Sequence, residues 1–164
     1  MVDFVNNYRK LTKIPTPELE SLKISELFDN IYNLMRAEIN KNNIKLKISC
    51  INKNLEINAD NKLMEQVLIN LLLNCIDALK DNKSPLVKLS AYSVQSRKII
   101  EIYDNGTGID NDKIDKIFIP FYSTKENGSG IGLSLSKQIM KLHNGNIEVH
   151  SQKNVGTTVL LSFS

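Results

Sequence analysis

Ile99-Ile100-Glu101-Ile102-Tyr103-Asp104-Asn105-Gly106-Thr107-Gly108-Ile109 decides how this chain folds. Its first half is apolar and largely β-branched, so it reads as a strand. The strand delivers an acid straight into a turn with two glycines, where a ligand can approach the backbone closely. A carboxylate in that position can accept a hydrogen bond from an exocyclic amine, which selects adenine over guanine. Taken alone, Asp104-Asn105-Gly106 reads better as an ordinary turn.

Two further stretches change that balance. Downstream, Gly128-Ser129-Gly130-Ile131-Gly132-Leu133 opens an amphipathic run. Backbone N–H groups of such a loop, with a helix N-terminus behind them, can cradle phosphates. No Gly-Lys-Ser/Thr follows, and no βαβ unit encloses the cluster, so neither a Walker A loop nor a dinucleotide fold is expected. Upstream, Glu65-Gln66-Val67-Leu68-Ile69-Asn70-Leu71-Leu72-Leu73-Asn74 is helix-like, with two asparagines at i, i+4 on one face. An amide oxygen there suits a magnesium ion already neutralised by phosphates; two core amides satisfied by the backbone would give the same pattern. Between the glycine clusters, Ile117 to Lys125 supplies apolar anchors for a mobile lid and a lysine able to reach a terminal phosphate.

The rest of the chain reads as follows. Residues 4–11 form one or two helical turns, broken by Ile14-Pro15-Thr16-Pro17. Ile24, Leu27, Phe28, Ile31, Leu34 and Met35 predict a helix over 24–42, with Ser25 as its cap. Strands follow at 44–48 and 55–59, and Asp60 or Asn61 caps the asparagine helix, which ends near Lys80. Strands 87–94 and 98–103 pair around Gln95-Ser96-Arg97. Residues 105–129 are loop with a short helix at 112–117. A third helix spans 130–142 and closes at Asn144-Gly145, and strands 147–151 and 157–163 finish the chain. Strands that follow one another without an intervening helix favour an α+β sandwich over a doubly wound parallel sheet.

Composition narrows the function. In 164 residues, 24% are charged and 41% hydrophobic, with a net charge of +3 carried by scattered lysines. No basic run and no Trp point to a nucleic-acid surface, so no nucleic-acid partner is expected. Cys50 and Cys75 lack metal-ligand spacing and are expected to be buried thiols in a reducing compartment. His143 and His150 read as structural, His143 as an imidazolium at a helix end. No segment approaches the roughly 20 apolar residues of a membrane span, and no signal-peptide core precedes the domain. A cytoplasmic piece without direct membrane contact is expected; an inner-membrane anchor elsewhere in a full-length protein is left open.

The ordered set resembles the catalytic, ATP-binding domain of sensor histidine kinases, of the gyrase, Hsp90, histidine kinase and MutL superfamily. Glu65 through Ala78 is similar to the N box, Asp104 to Ile109 to the first glycine box, and Ile117 to Lys125 to the F box. Gly128 to Leu133 is similar to the second glycine box, and Gly156-Thr157-Thr158 to the final strand motif. Phe121 to Lys125 and Asn74 to Leu79 resemble most the branch that includes nitrogen-regulation sensors. The resemblance implies the two-layer α/β sandwich of the Bergerat type, with a mixed sheet, helices on one face and an ATP lid.

It also implies roles. Asn74 would be the magnesium ligand, with Asn70 beside the triphosphate. Asp104 would bind the adenine amine, with Gly106, Gly108 and Ile109 shaping that end and Thr157 supporting it. Lys125 and the loop of Gly128, Gly130, Gly132 and Leu133 would hold the phosphates, Asn70 and Lys125 being the catalytic pair. The family moves the γ-phosphoryl of ATP to a histidine on a separate dimerisation domain, from which a response regulator takes it. No such histidine helix is present, so residues 1–17 are expected to be the tail of that module and a linker, and 18–164 the catalytic domain. A fragment of this kind would bind ATP without phosphorylating itself.

Three other readings share the fold. An anti-sigma-type serine/threonine kinase is disfavoured by the F-box-like segment and the truncated helical lead-in. A nucleotide-binding module without catalysis is disfavoured by intact boxes. A gyrase-like ATPase would need a glutamate where Asn70 stands.

Overall fold

The computed structural model describes residues 13–124 and 128–164. In chain order the elements are β1 (Glu20–Lys23), α1 (Ile24–Lys41), β2 (Lys45–Cys50), β3 (Glu56–Ala59), α2 (Asn61–Ala78) and β4 (Leu86–Val94). Then come β5 (Arg97–Asp104), α3 (Asn111–Ile114), α4 (Gly132–Leu142), β6 (Asn146–Gln152) and β7 (Gly156–Phe163). Five strands form a mixed sheet in the order β2-β4-β5-β7-β6. Only β2 with β4 is parallel; the other pairings are antiparallel. Strands β1 and β3 make a separate antiparallel pair. The expected α+β sandwich is the observed one.

Alternation of side chains builds the two layers. Val87, Leu89, Ala91, Ile100, Ile102, Val159 and Leu161 point to one face and merge with the apolar stripes of α1, α2 and α4 in one core. The opposite face carries polar cross-strand contacts: Tyr92 donates its hydroxyl to Glu101 at 2.8 Å, and Lys88 Nζ stands 5.2 Å from the Tyr103 ring centroid. Helix α2 lies at the centre of the helical layer. Leu63, Met64, Val67, Leu68, Leu71, Leu72, Cys75 and Ile76 are all buried, a stripe wide enough to touch the sheet and both flanking helices. Gln66, Asn70, Asn74 and Asp77 remain as its half-buried polar stripe.

The structure corrects several local expectations. Ser25 does not cap α1; its Oγ donates to the Lys53 carbonyl, and the Ile24 N–H is taken by the Leu55 carbonyl at 3.0 Å. Strand β1 was not expected, because Glu-Ser-Leu-Lys has a single apolar residue and gains its pairing only from β3. Helix α3 covers 111–114 rather than 112–117, and α4 begins at Gly132 rather than 130. Asn144, not Gly145, takes the left-handed conformation after α4, with φ +53°. Cys50 is half-buried rather than buried. Residues 4–11 lie outside the described residues. Among the described residues, no helix is long and apolar enough to cross a membrane.

Asp60 ties the helical layer together. Its Oδ1 accepts from the Leu63 N–H at 3.0 Å, capping α2, and its Oδ2 accepts from the Glu18 N–H at 2.9 Å. Its own N–H donates to His143 Nε2 at 3.0 Å, at the C-terminus of α4, while His143 Nδ1 donates to the Ile139 carbonyl at 2.7 Å. Nε2 therefore acts as an acceptor, so His143 is structural as expected but is not the expected imidazolium. Burial pushes the Asp60 carboxyl up, but the N–H groups of Glu18, Leu63 and Lys62 outweigh it and hold it below the usual carboxylate range. A lowered pKa contributes stability above the unfolded value that is lost as pH falls through the folded one. Asp60→Ala is therefore expected to cost about 1–2 kcal/mol in urea unfolding at pH 7, and the deficit should shrink below about pH 4.

Candidate nucleotide site

The site is assembled at one end of the sheet and along α2. Sheet register puts Asp104 opposite Val87 on one side and Thr157 on the other, with Ser151 opposite Thr157. Three polar side chains thus stand in a row on the helix-facing side, followed on the same face by Ile102 and Ile100, Val159 and Leu161, and Val149 and Ile147. Asp104 is 4% exposed. Its Oδ1 accepts from the Gly106 N–H at 2.8 Å, and the buried Cys75 thiol also bonds the carboxylate. Desolvation pushes Asp104 above the usual carboxylate range, only partly offset by those two donors.

The first glycine loop has no room for side chains. A methyl group on Gly106 would stand 2.6 Å from the Ala78 carbonyl oxygen and 2.7 Å from Asp104 Oδ1. Gly108 has φ +67°, and a methyl there would meet the Gln152 carbonyl. The Thr107 N–H donates to the Ala78 carbonyl at 3.1 Å, and the Ile109 N–H donates to Ser151 Oγ at 2.9 Å. Asn105 fixes the loop's far side: its Oδ1 accepts from the Leu86 N–H at 2.8 Å and its Nδ2 donates to the Ser84 carbonyl at 3.0 Å.

Eight residues before Ala78 on α2, Asn70 faces the start of α4. A methyl group on Gly132 would lie 3.9 Å from both Cβ and Cγ of Asn70. At 1.5 Å of rise per residue, the two ends of this stripe are about 12 Å apart, with Asn74 between them. Asn70 Nδ2 is buried and has no hydrogen-bond partner among the described residues. Such a donor costs about 1–3 kcal/mol unless something else satisfies it, and a phosphate oxygen is a suitable acceptor. Glu65 instead turns to α1, accepting from Asn30 Nδ2 at 3.5 Å.

The segment before α4 is pinned at its ends. Ile117 is buried, and Phe118 packs on the core with Lys137 Nζ 4.8 Å from its ring centroid. The Phe121 N–H donates to the Gly130 carbonyl at 2.9 Å, and both residues take left-handed backbones. Gly128 is exposed, while Leu133 is half-buried in the first turn of α4. Lys125, expected at the phosphates, lies outside the described residues. Sequence reasoning missed Ser151, Asn105 and the contact of Cys75 with Asp104. Ser151 gave no signal, being one more polar residue in an alternating strand.

Residues 59–164 match the model of the histidine kinase-, DNA gyrase B-, and HSP90-like ATPases. The chain belongs to this family. The ATPase domain is 43% identical over 105 residues to the signal transduction histidine-protein kinase AtoS of Escherichia coli K12, covering 64% of this chain and 17% of AtoS. It is 31% identical over 157 residues to the sensor histidine kinase ZraS of the same strain, covering 96% of this chain and 33% of ZraS. The chain therefore spans a third or less of these relatives. The nucleotide-free catalytic domain of histidine kinase ThkA superposes with a TM-score of 0.79 at 28% identity, covering 89% of this chain and 97% of that one. ThkA in complex with the response regulator TrrA gives 0.82 at 26% identity, covering 99% and 46%. The domain is thus an ATP-binding catalytic domain of the histidine kinase kind.

Two outcomes are expected. Asp104→Asn removes a desolvated charge, so the variant should melt at or above the wild-type temperature at neutral pH. A raised carboxyl contributes stability that is fully present below the unfolded pKa and lost as pH rises through the folded one, so that advantage should vanish in acid. Gly108→Ala should lose at least about 1–2 kcal/mol of unfolding free energy from its left-handed backbone alone.

Proposed function

We propose that this domain binds ATP with Mg2+ and transfers the γ-phosphoryl to a histidine on a dimerisation domain of the full-length homodimer. A response regulator is the next acceptor, by analogy with the ThkA–TrrA complex. In this reading residues 1–17 are the tail of the dimerisation helix and a linker, and 18–164 the catalytic unit. One observation carries it: a buried acceptor at Asp104, next to the C-terminal end of α2, and a buried donor at Asn70, without a partner among the described residues, stand at opposite ends of the polar stripe of α2. An acceptor suits the amine of adenine, a donor suits phosphate oxygens, and the spacing is that of a nucleotide's two ends.

Asp104 and Thr157 accept from the base, and Gly106, Gly108 and Ile109 form the wall against it. Asn70 donates to the triphosphate, and the loop of Gly128, Gly130, Gly132 and Leu133 offers backbone N–H groups, with α4 behind it. Lys125 adds a positive charge at the terminal phosphate. Among the described residues no cluster of acidic, His or Cys side chains could hold a metal by itself. A magnesium ion would therefore be held by phosphate oxygens with one amide oxygen, from Asn74, and would neutralise the charge between the phosphoryl groups. In the transfer an imidazole nitrogen forms a bond to the γ-phosphorus as the bond to the bridging oxygen of ADP breaks. Asn70 and Lys125 stabilise the charge on the moving phosphoryl group.

Calorimetry with a non-hydrolysable ATP analogue tests the binding. The wild type is expected to bind with magnesium, and Asp104→Asn and Asn74→Ala to weaken binding at least tenfold. Adding the dimerisation domain and labelled ATP should then yield acid-labile phosphohistidine. Phosphoserine on a partner protein would instead favour the anti-sigma-type reading, and absence of nucleotide binding would leave only the fold.

A further inference from the structure

We propose that Ser151 is a positioning residue for base selection: it takes up the hydroxyl proton of Thr157, so the nucleotide meets Thr157 and Asp104 as two adjacent pure acceptors. The inference deepens the ATP-binding reading above and rests on it.

The argument is a count of protons and lone pairs. A serine hydroxyl has one proton and two lone pairs. Ser151 Oγ receives the Ile109 N–H at 2.9 Å, which fills one lone pair. Its own proton goes to the Gly156 carbonyl at 3.0 Å. With that proton on Gly156, the remaining contact, 2.8 Å to Thr157 Oγ1 and open to a donor on either side, is assigned as Thr157 donating into the second lone pair. Thr157 keeps lone pairs toward the ligand and no proton.

Asp104 is prepared in the same way. The Gly106 N–H at 2.8 Å and the Cys75 thiol approach it from within the protein and leave its remaining lone pairs for the ligand. Thr157 and Asp104 are direct antiparallel partners on one face of the sheet, where opposite Cβ atoms lie about 4.5–5.5 Å apart. Adenine offers an amine to such a pair. A base with a carbonyl at that carbon would place a third acceptor against two others. Rejection by leaving polar groups unpaired is stronger than rejection by shape. With its proton free, Thr157 could turn and donate to that carbonyl.

The test compares ATP with inosine triphosphate, which has a carbonyl where adenine has its amine. Each displaces a fluorescent ADP analogue from the wild type, Ser151→Ala, Thr157→Val and the double variant, in magnesium. Ser151→Ala is expected to lower the ratio of ATP to inosine triphosphate affinity about tenfold. In the Thr157→Val background the same change should move the ratio no further. A purely structural role would weaken both nucleotides together, and an unchanged ratio in Ser151→Ala overturns the proposal. So does a full drop in the ratio that persists without Thr157. If Ser151→Ala does not fold, Ser151→Cys, a weaker partner of similar size, should lower the ratio by a smaller factor; a wild-type ratio there also overturns it. A wild type that binds neither nucleotide refutes the ATP-binding reading itself, and that is seen before any variant is compared.

Discussion

A carboxylate taken out of water with only neutral donors beside it is the constraint on which this domain is arranged. Among the described residues no cation compensates the charge of Asp104; a glycine N–H and a thiol stand in for water. Neutral donors leave the anion able to form further hydrogen bonds, whereas a bidentate arginine would occupy both oxygens. The chain keeps this unfavourable group because the rest of the sheet end fixes it. Gly106 cannot carry a side chain, Thr107 is fastened to α2, and Asn105 is fastened to the loop before β4. An acceptor held so rigidly has little freedom left to lose on binding a ligand, which is how preorganisation contributes affinity.

Helix α2 turns that local arrangement into a site. Its apolar stripe is wide because it must satisfy the sheet and two helices at once, and the narrow stripe left over carries the polar side chains. Burial on one side of the helix therefore fixes the orientation of Asn70 and Asn74 on the other. Cys75 belongs to the buried stripe yet reaches Asp104, so the core and the polar end of the sheet meet at one residue.

Much of this was legible in the sequence, for identifiable reasons. Alternation at 99–103 and helical spacing at 24–35 and 63–76 follow from burying one face, so the strands and helices came out close to their observed bounds. Asp104, Asn70 and the glycines announced themselves because a charge, an amide or a missing side chain in an apolar setting needs an explanation. Elements that depend on partners far along the chain did not. Strand β1 exists only because β3 is there, and Ser25 was drawn away by the Lys53 carbonyl. Ser151 looks like any strand serine until β7 is laid beside β6. The polarity of His143 likewise depended on a donor eighty-three residues away in sequence.

The hydrogen bond between Phe121 and Gly130 also has a polymer-physics consequence. That bond joins Phe121 directly to Gly130, so the two anchor points are held together whatever the length of chain between them. Closure entropy grows only with the logarithm of loop length, about 0.6 kcal/mol for each doubling. Insertions or deletions between those two anchors therefore change chain length at small thermodynamic cost and leave the register of α4 untouched. The end of the sheet around Asp104, held by β4, β5 and β7, keeps its dimensions through such changes.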